Sequence, residues 1–120
     1  ISYGNTMILS EEAIEKIEKE MQVSIEMIDI RSIIPLDKET ILNSVKKTGK
    51  ALVVHEDKVF AGFGGEIAAM ITDEAFEYLD GPVKRVGSTF TPVGFNRILE
   101  KAILPDADRI YHAAKDLLNY

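Results

Sequence analysis

The sequence predicts an α/β sandwich, a single domain in which helices pack on a mainly parallel β-sheet. Short apolar runs alternate with segments of helical periodicity along the whole chain, and this β-α-β-α-β-α-β-α order is typical of such folds. The run "ALVVH" (51–55) is apolar without alternation, which indicates a strand covered on both faces. With 120 residues, of which 46% are hydrophobic, the chain is long enough to bury a core of its own.

Four apolar runs are predicted to be strands. They are "ISY" (1–3), "VSIEMIDI" (23–30), "ALVVH" (51–55) and "VKRV" (83–86). The turn signal Gly4-Asn5 closes the first strand, and Asp80-Gly81-Pro82 precedes the last. Crossover connections between these strands are expected to be right-handed.

Two helices are predicted before the central strand. The first covers residues from about 7 to 21, with one apolar face made by Ala13, Ile14, Ile17 and Met21. The second begins after Asp37, which is placed as an N-cap. It is predicted to end at Gly49, because glycine readily adopts the left-handed backbone conformation that terminates helices.

Three more helical segments follow. A helix over residues 65–79 has an apolar stripe made by Ile67, Ile71, Ala75 and Tyr78. The segment "TPVGFN" (91–96) is predicted to be irregular, and "RILEKAI" (97–103) to form one or two helical turns. Pro105-Asp106 opens the last helix, whose buried face is made by Ile110, Ala114, Leu117 and Leu118.

Composition and charge exclude several classes of function. The net charge of −6 disfavours nucleic-acid binding and favours basic partners. The absence of cysteine excludes disulfides, thiolate catalysis and zinc–thiolate sites. No apolar run approaches the ~20 residues of a transmembrane helix, and no signal peptide is evident, so we expect an intracellular protein without membrane association. The chain begins "ISYGN", without methionine, and is expected to be a piece of a longer protein.

The glycine cluster "GFGGE" (62–66) allows two interpretations. Gly62, Gly64 and Gly65 at a helix start match an anion cradle, in which backbone N–H groups point at a phosphate. However, the spacing is not G-x-G-x-x-G, the Lys and Ser/Thr of a P-loop are missing, and Glu66 opposes an anion. We therefore favour a structural turn, in which glycine permits positive φ and close approach of the helix to the sheet.

His55 lies at the carboxyl end of the predicted central strand, where ligands bind in open α/β sheets. It is a candidate general base oriented by an acid. Adjacent strand residues point to opposite faces, however, so Glu56 is not expected to contact it, and no nucleophile is close in sequence. We favour a hydrogen-bonding or interface histidine.

Three aromatic residues, Phe90, Phe95 and Tyr120, fall in segments that are expected to be partly exposed. They are candidate interface anchors, and packing into the core is the alternative for each. The acidic residues near the predicted helix ends are either capping residues on a solvated face or an acidic docking patch for a basic partner.

Six motifs in order give the chain a resemblance to a known family. They are "DIRSIIPLD" (29–37), "VVHED" (53–57), "GFGGEI" (62–67), "LDGPVKRV" (79–86), "TPVGF" (91–95) and "LPD" (104–106). The series closely resembles the C-terminal part of the β subunit of 2-oxoacid dehydrogenases, the thiamine-diphosphate-dependent components of the pyruvate, branched-chain and acetoin dehydrogenase complexes. Each motif is weak alone, but together they cover nearly all of the chain.

The resemblance implies a transketolase C-terminal domain. This is a three-layer α/β/α sandwich with a mostly parallel five-stranded sheet that contains one antiparallel strand. In the intact family enzyme, thiamine diphosphate and Mg²⁺ lie between the α subunit and the N-terminal half of the β subunit. The resemblance therefore implies no catalytic, cofactor-binding or metal-binding residue in this chain, which we expect to be inactive alone.

The resemblance also implies partners. These are the α subunit and a second β subunit in an α₂β₂ heterotetramer, and the basic subunit-binding domain of the acyltransferase core. We place the docking surface for that domain around Asp80 and the terminal carboxylate of Tyr120. The resemblance implies a cytoplasmic protein in a prokaryote, or a mitochondrial or plastid one in a eukaryote. Two alternatives stay open: the same domain from another thiamine enzyme (transketolase, deoxyxylulose-phosphate synthase or 2-oxoacid:ferredoxin oxidoreductase), and a free-standing flavodoxin-like or receiver-like module.

Overall fold

The computed structural model describes all 120 residues and contains five α-helices and two β-strands. The elements in chain order are α1 (Thr6–Met21), α2 (Lys38–Thr48), β1 (Leu52–Lys58), α3 (Phe63–Ala75), β2 (Lys84–Ser88), α4 (Arg97–Ile103) and α5 (Ala107–Leu118). A 3₁₀ turn, Phe76–Tyr78, follows α3. The predicted α/β class is confirmed.

The sheet is parallel throughout. β1 and β2 pair in parallel, with Val54 opposite Val86. Ser2 adds a bridge to Val54 on one side and to Asp29 on the other, and both bridges are also parallel. Residues 1–3 therefore lie between β1 and residues 28–30, and β2 lies on the far side of β1.

The five-stranded sheet with one antiparallel strand, which the resemblance implied, is not what the structure contains. Only β1 and β2 are continuous strands, and no pairing is antiparallel. The prediction of a full strand over residues 23–30 was also wrong, because this segment pairs only through Ser2 near its end. The remaining neighbour, residues 1–3, is short because the backbone turns at Gly4, with φ +64°, into α1.

The local signals of the sequence correspond to observed helix ends. The Asp37 carboxylate accepts a hydrogen bond from the Thr40 amide at 3.1 Å and caps α2. Gly49, with φ +70°, ends that helix. α3 ends at Ala75, earlier than predicted, because the backbone tightens there into the 3₁₀ turn, which leaves Tyr78 exposed and not on the buried stripe.

Hydrophobic clusters lie on both faces of the sheet. Residues of α2, α3 and β1 form one of them, with Ile41, Val45, Val53, Ile67 and Ile71 at its centre. Residues of α1, α5 and both strands form the other: Ala13, Ile17, Val54, Val86, Ile110 and Tyr111. The helices thus cover both faces of the sheet, as the unbroken apolar run of β1 predicts. None of the helices is long and apolar enough to cross a membrane.

Candidate functional site

His55 is fully buried in the middle of β1 (Leu52–Lys58), beneath the start of α3. The sequence predicted it at the carboxyl end of the strand, which was wrong because β1 continues through the charged residues to Lys58. Its ring stacks on the Tyr3 ring, with centroids 6.2 Å apart and planes inclined by 20°. Phe63 meets the Tyr3 ring edge-on at 6.1 Å. This aromatic packing orients the imidazole, which has no hydrogen-bond partner on either ring nitrogen.

The glycines of "GFGG" allow α3 to approach His55. A Cβ atom added at Gly64 would overlap the His55 ring, and one added at Gly62 would lie 2.9 Å from His55 Cε1. A Cβ at Gly87 on β2 would lie 2.7 Å from the carbonyl oxygen of Asp57. Side chains at these positions would displace the imidazole or the strand, so close packing accounts for the glycines.

Positive φ plays no part at these glycines. Gly62 has φ −84°, and the left-handed position of the loop is Ala61, with φ +61°. This part of our explanation for the glycines was wrong, since close approach of the helix is what requires Gly62 and Gly64. The turn formed by Gly62, Gly64, Gly65 and Glu66 remains our interpretation of the motif.

Burial lowers the pKa of His55, because the charged imidazolium is poorly solvated there. Asp57 opposes this shift and Arg85 adds to it. Burial and the charge of Asp57 together raise the pKa of the Tyr3 hydroxyl. The local electrostatics therefore favour a neutral imidazole at neutral pH.

The surroundings of His55 do not assemble a nucleophile and its base. The Ser88 hydroxyl donates to the carbonyl of Glu56, and the Ser2 and Thr6 hydroxyls bond to each other at 2.8 Å. The exposed Glu56 carboxylate is bonded by Asn5 and not by His55. A general base needs hydrogen-bond reach to the group that it deprotonates, and His55 has no such partner.

The residues at this turn do not fit a diphosphate or its metal ion. The imidazole of His55 packs against Gly62 and Gly64, where phosphate oxygens would have to approach the backbone. Glu66 places a carboxylate in the first turn of α3. No group of three or more His, Asp or Glu side chains is arranged to hold a metal ion.

An exposed apolar surface lies beyond the carboxyl ends of the strands. We call it the apolar arm; it consists of Phe60, Phe90, Val93, Phe95, Ile98 and Leu99. Phe95 is fully exposed, and the Phe60 and Phe90 rings meet edge-on at 4.9 Å. Exposed apolar patches mark interaction surfaces, and the Phe60 and Phe90 rings form one by direct contact.

The exposure of Phe90 and Phe95 was predicted from the sequence and is confirmed. The other four members of the apolar arm were missed. Ile98 and Leu99 are adjacent on α4 and both exposed, whereas Ile103 is the only buried residue of that helix. An apolar helix that buries only one residue indicates an exposed apolar surface. This indication is available only after the packing of the helix is known.

Asp80 and Tyr120 lie at the opposite end of the sheet. The Asp80 amide donates to the carbonyl of Gly49, which precedes β1, at 2.7 Å. A Cβ added at Gly81 would lie 3.3 Å from Tyr120 Cβ, so the "DGP" turn and Tyr120 are neighbours. Lys84 lies 5.7 Å from the Tyr120 ring centroid and pairs with Asp116 at 3.6 Å. This end of the molecule therefore carries charges of both signs.

Comparison with protein families decides the assignment of the domain. The family model described as transketolase, C-terminal domain, matches residues 1–110. The chain belongs to the transketolase C-terminal domain family.

Curated relatives of this transketolase C-terminal domain include β subunits of 2-oxoacid dehydrogenases. The chain is 43% identical over 108 residues to the mitochondrial 2-oxoisovalerate dehydrogenase subunit beta of Chaetomium thermophilum, a match that covers 88% of this chain and 23% of the relative. It is 45% identical over 93 residues to the pyruvate dehydrogenase E1 component subunit beta of Rickettsia bellii, covering 78% of this chain and 29% of that protein. The predicted resemblance to these subunits is confirmed, and the chain spans less than a third of their length.

A solved structure supports the same fold. It is described as a split gene transketolase, inactive beta4 tetramer, and it matches 98% of this chain and 37% of its own with a TM-score of 0.81. Its sequence identity of 24% shows the fold alone. The identity to the dehydrogenase β subunits is higher, which favours them over transketolase as models for this domain.

Proposed function

We propose that the chain is the C-terminal assembly domain of the β subunit of a 2-oxoacid dehydrogenase. The observation that carries the proposal is the apolar arm: a folded domain of this family leaves six large apolar side chains in solvent at one end. Exposing such a surface to water costs free energy. Burial of the surface against another subunit removes that cost.

The enzyme that contains this domain would oxidatively decarboxylate a 2-oxoacid and pass the acyl group to lipoyl groups. The relatives that suggest this reaction are 2-oxoisovalerate and pyruvate dehydrogenase β subunits. Thiamine diphosphate and Mg²⁺ would be bound by other parts of that enzyme. The contribution of this chain would be structural, since the residues around His55 hold no partnered acid–base pair.

The partners that fit this role are the α subunit and a second β subunit in an α₂β₂ heterotetramer. The proposal predicts that Phe95→Asp in the β subunit weakens assembly, because central aromatic anchors are worth about 2 kcal/mol or more, roughly a thirty-fold loss of affinity. Sedimentation of the co-expressed subunits measures the loss. Phe76→Asp, at an aromatic side chain that is 71% exposed outside the apolar arm, is the matched control. Unchanged assembly of the Phe95 variant would show that the apolar arm is not part of the interface.

We further propose that the surface around Asp80 and Tyr120 docks the basic subunit-binding domain of the acyltransferase core. The supporting observations are the net charge of −6 and the exposure of both residues beside one another. Asp80→Lys is expected to weaken that complex, as measured by titration calorimetry with the purified binding domain. Glu11→Lys makes the same change of charge on the exposed side of α1 and should leave affinity unaltered. Equal affinities for both variants would exclude Asp80.

The same relatives support a proposal about the location of the enzyme. Relatives occur in mitochondria and in bacteria of the genus Rickettsia. The proposal places this protein in the mitochondrial matrix or plastid of a eukaryote, or in the cytoplasm of a prokaryote. Fractionation of the source cells, followed by detection of the β subunit, tests the location.

A further inference from the structure

The turn between β1 and α3, residues 59–62, joins the buried imidazole of His55 to the apolar arm. At one end of the turn, a Cβ added at Gly62 would lie 2.9 Å from His55 Cε1. Two residues earlier, Phe60 is exposed, and its ring meets that of Phe90 at 4.9 Å. The imidazole and the apolar arm are thus connected by one short piece of backbone.

The middle of this turn is strained. Ala61 lies between Phe60 and Gly62 and has φ +61°, in the left-handed region. A residue with a Cβ atom in that region costs about 1–2 kcal/mol. Such a conformation persists only when the surrounding structure holds it.

Three contacts hold the turn in place. The Arg85 guanidinium donates to the Val59 carbonyl at 2.8 Å, and the Val59 amide donates to the Ser88 carbonyl at 3.1 Å. The third contact is the packing of Gly62 on the imidazole of His55. The strained backbone therefore depends in part on where the imidazole lies.

The imidazole of His55 lies where a positive charge is unfavourable. Both of its ring nitrogens are buried without a hydrogen-bond partner. Gly62 is the N-cap of α3, and a Cβ added at Gly64 in the first turn would lie 2.3 Å from His55 Nε2. The ring therefore faces the amino end of α3, where the helix dipole carries partial positive charge. A neutral imidazole packs there, whereas an imidazolium is repelled.

The charged groups around His55 act in both directions. Besides burial, which lowers the pKa of His55, Asp57 of β1 raises it and Arg85 of β2 lowers it. Tyr3 stays a neutral phenol because burial and Asp57 raise its pKa, and Glu66 of α3 is exposed. The group that attracts an imidazolium is therefore Asp57.

Asp57 lies on the side of the turn. A Cβ added at Gly62 would lie 3.0 Å from Asp57 Oδ2, as well as 2.9 Å from His55 Cε1. The backbone of Gly62 is thus beside both side chains. An imidazolium that moves towards the Asp57 carboxylate presses on Gly62.

We propose that proton uptake by His55 releases the turn of residues 59–62 and thereby weakens the apolar arm as an assembly surface. When Gly62 is displaced, Ala61 relaxes from its strained conformation and Phe60 leaves the Phe90 ring. This inference rests on the proposed role of the apolar arm in assembly. Because the pKa of His55 is lowered, the imidazole is neutral at pH 7.5 and assembly is intact there. Assembly is lost as the pH falls below the ordinary histidine pKa of about 6.5.

Sedimentation of the co-expressed α and β subunits between pH 7.5 and 5.5 tests the proposal. We expect the dissociation constant of the wild type to rise below pH 6.5 by at most about tenfold per pH unit, the limit for one proton. His55→Gln cannot take up a proton and should remove that part of the rise. His112→Gln changes the other, exposed histidine of the chain and should behave as wild type.

Ala61→Gly tests the turn in a protein that keeps the imidazole. Glycine adopts the left-handed conformation without strain, so the native turn should persist to a lower pH and assembly should be lost later than in the wild type. The same pH profile in the wild type, His55→Gln and Ala61→Gly would overturn the proposal and leave the assembly role of the apolar arm intact. Subunits that stay separate at pH 7.5 would overturn both.

Discussion

At the scale of single residues, His55 and its glycine neighbours determine how closely α3 approaches β1. The imidazole occupies the volume that a side chain at Gly64 would need. Its burial without a hydrogen-bond partner costs free energy, since a polar group loses its water there. In place of hydrogen bonds, the imidazole stacks on the Tyr3 ring and contacts the glycines.

Replacing Gly64 is therefore expected to destabilise the domain. Gly64→Ala should lower the free energy of unfolding by roughly 1–3 kcal/mol, because the methyl group overlaps a ring in a packed core. Gly65→Ala is the matched control in the same helical turn, since its Cβ meets only the flexible end of Arg85, at 3.1 Å. Helix propensity favours that variant by up to about 1 kcal/mol. Urea unfolding compares the two, and equal loss in both would refute the packing role of Gly64.

Titration of His55 makes stability depend on pH. The pKa of His55 is lowered in the folded state, so the unfolded chain binds this proton more tightly. Stability is then fully present above the unfolded pKa of about 6.5 and is lost as the pH falls from there through the lower folded pKa. The slope for one proton is at most about 1.4 kcal/mol per pH unit. Unfolding midpoints from pH 7.5 to 5 measure it, and His55→Gln should flatten the profile; an unchanged profile would show that other groups cause it.

At the scale of elements, α5 and α1 form a pair held by apolar packing and by one polar network. The Glu20 carboxylate accepts hydrogen bonds from Lys115 and from the Tyr111 hydroxyl. These bonds lower the pKa of Glu20 and raise that of Lys115, so both groups are charged at neutral pH. Because the charged side chains of Glu20 and Lys115 are partly exposed, the apolar face of α5 contributes more to the pairing than the charges do.

The start of α5 depends on its cap. Asp106 accepts a hydrogen bond from the Arg109 amide at 2.8 Å, and Asp106→Ala should lower the free energy of unfolding by about 1 kcal/mol. Asp116→Ala removes the same type of side chain near the other end of α5, where only an exposed pair with Lys84 is lost, and should change stability by less than about 0.5 kcal/mol. Thermal unfolding of both variants checks the difference. A Tm for Asp106→Ala equal to that of Asp116→Ala would contradict the capping role.

The ends of the helices could be predicted from the sequence, whereas the pairing of the strands could not. The cap at Asp37, the helix end at Gly49 and the start of the last helix at Pro105-Asp106 were predicted because each depends on a few neighbouring residues. The strand at residues 23–30 was predicted wrongly because strand pairing depends on a partner distant in the chain, here only Ser2. The glycines around His55 were recognised as a turn, but their contact with the imidazole joins residues that only the folded sheet brings together.

At the scale of the whole molecule, the two ends of the sheet have different surfaces. The apolar arm lies at the carboxyl end, and Asp80 lies beside Tyr120 at the amino end. We therefore propose that the two surfaces of this domain serve in assembly and in docking.

The turnover of the proposed 2-oxoacid dehydrogenase with His55→Asn tests that assignment most directly, because His55 is the one buried imidazole of the chain. The measurement is kcat for the 2-oxoacid at pH 7.5, on a preparation whose sedimentation matches the wild-type heterotetramer. We predict a kcat within about twofold of wild type, since loss of a general acid or base would cost about 10²–10⁴-fold. A fall of that size in a fully assembled enzyme would contradict a purely structural role for this domain.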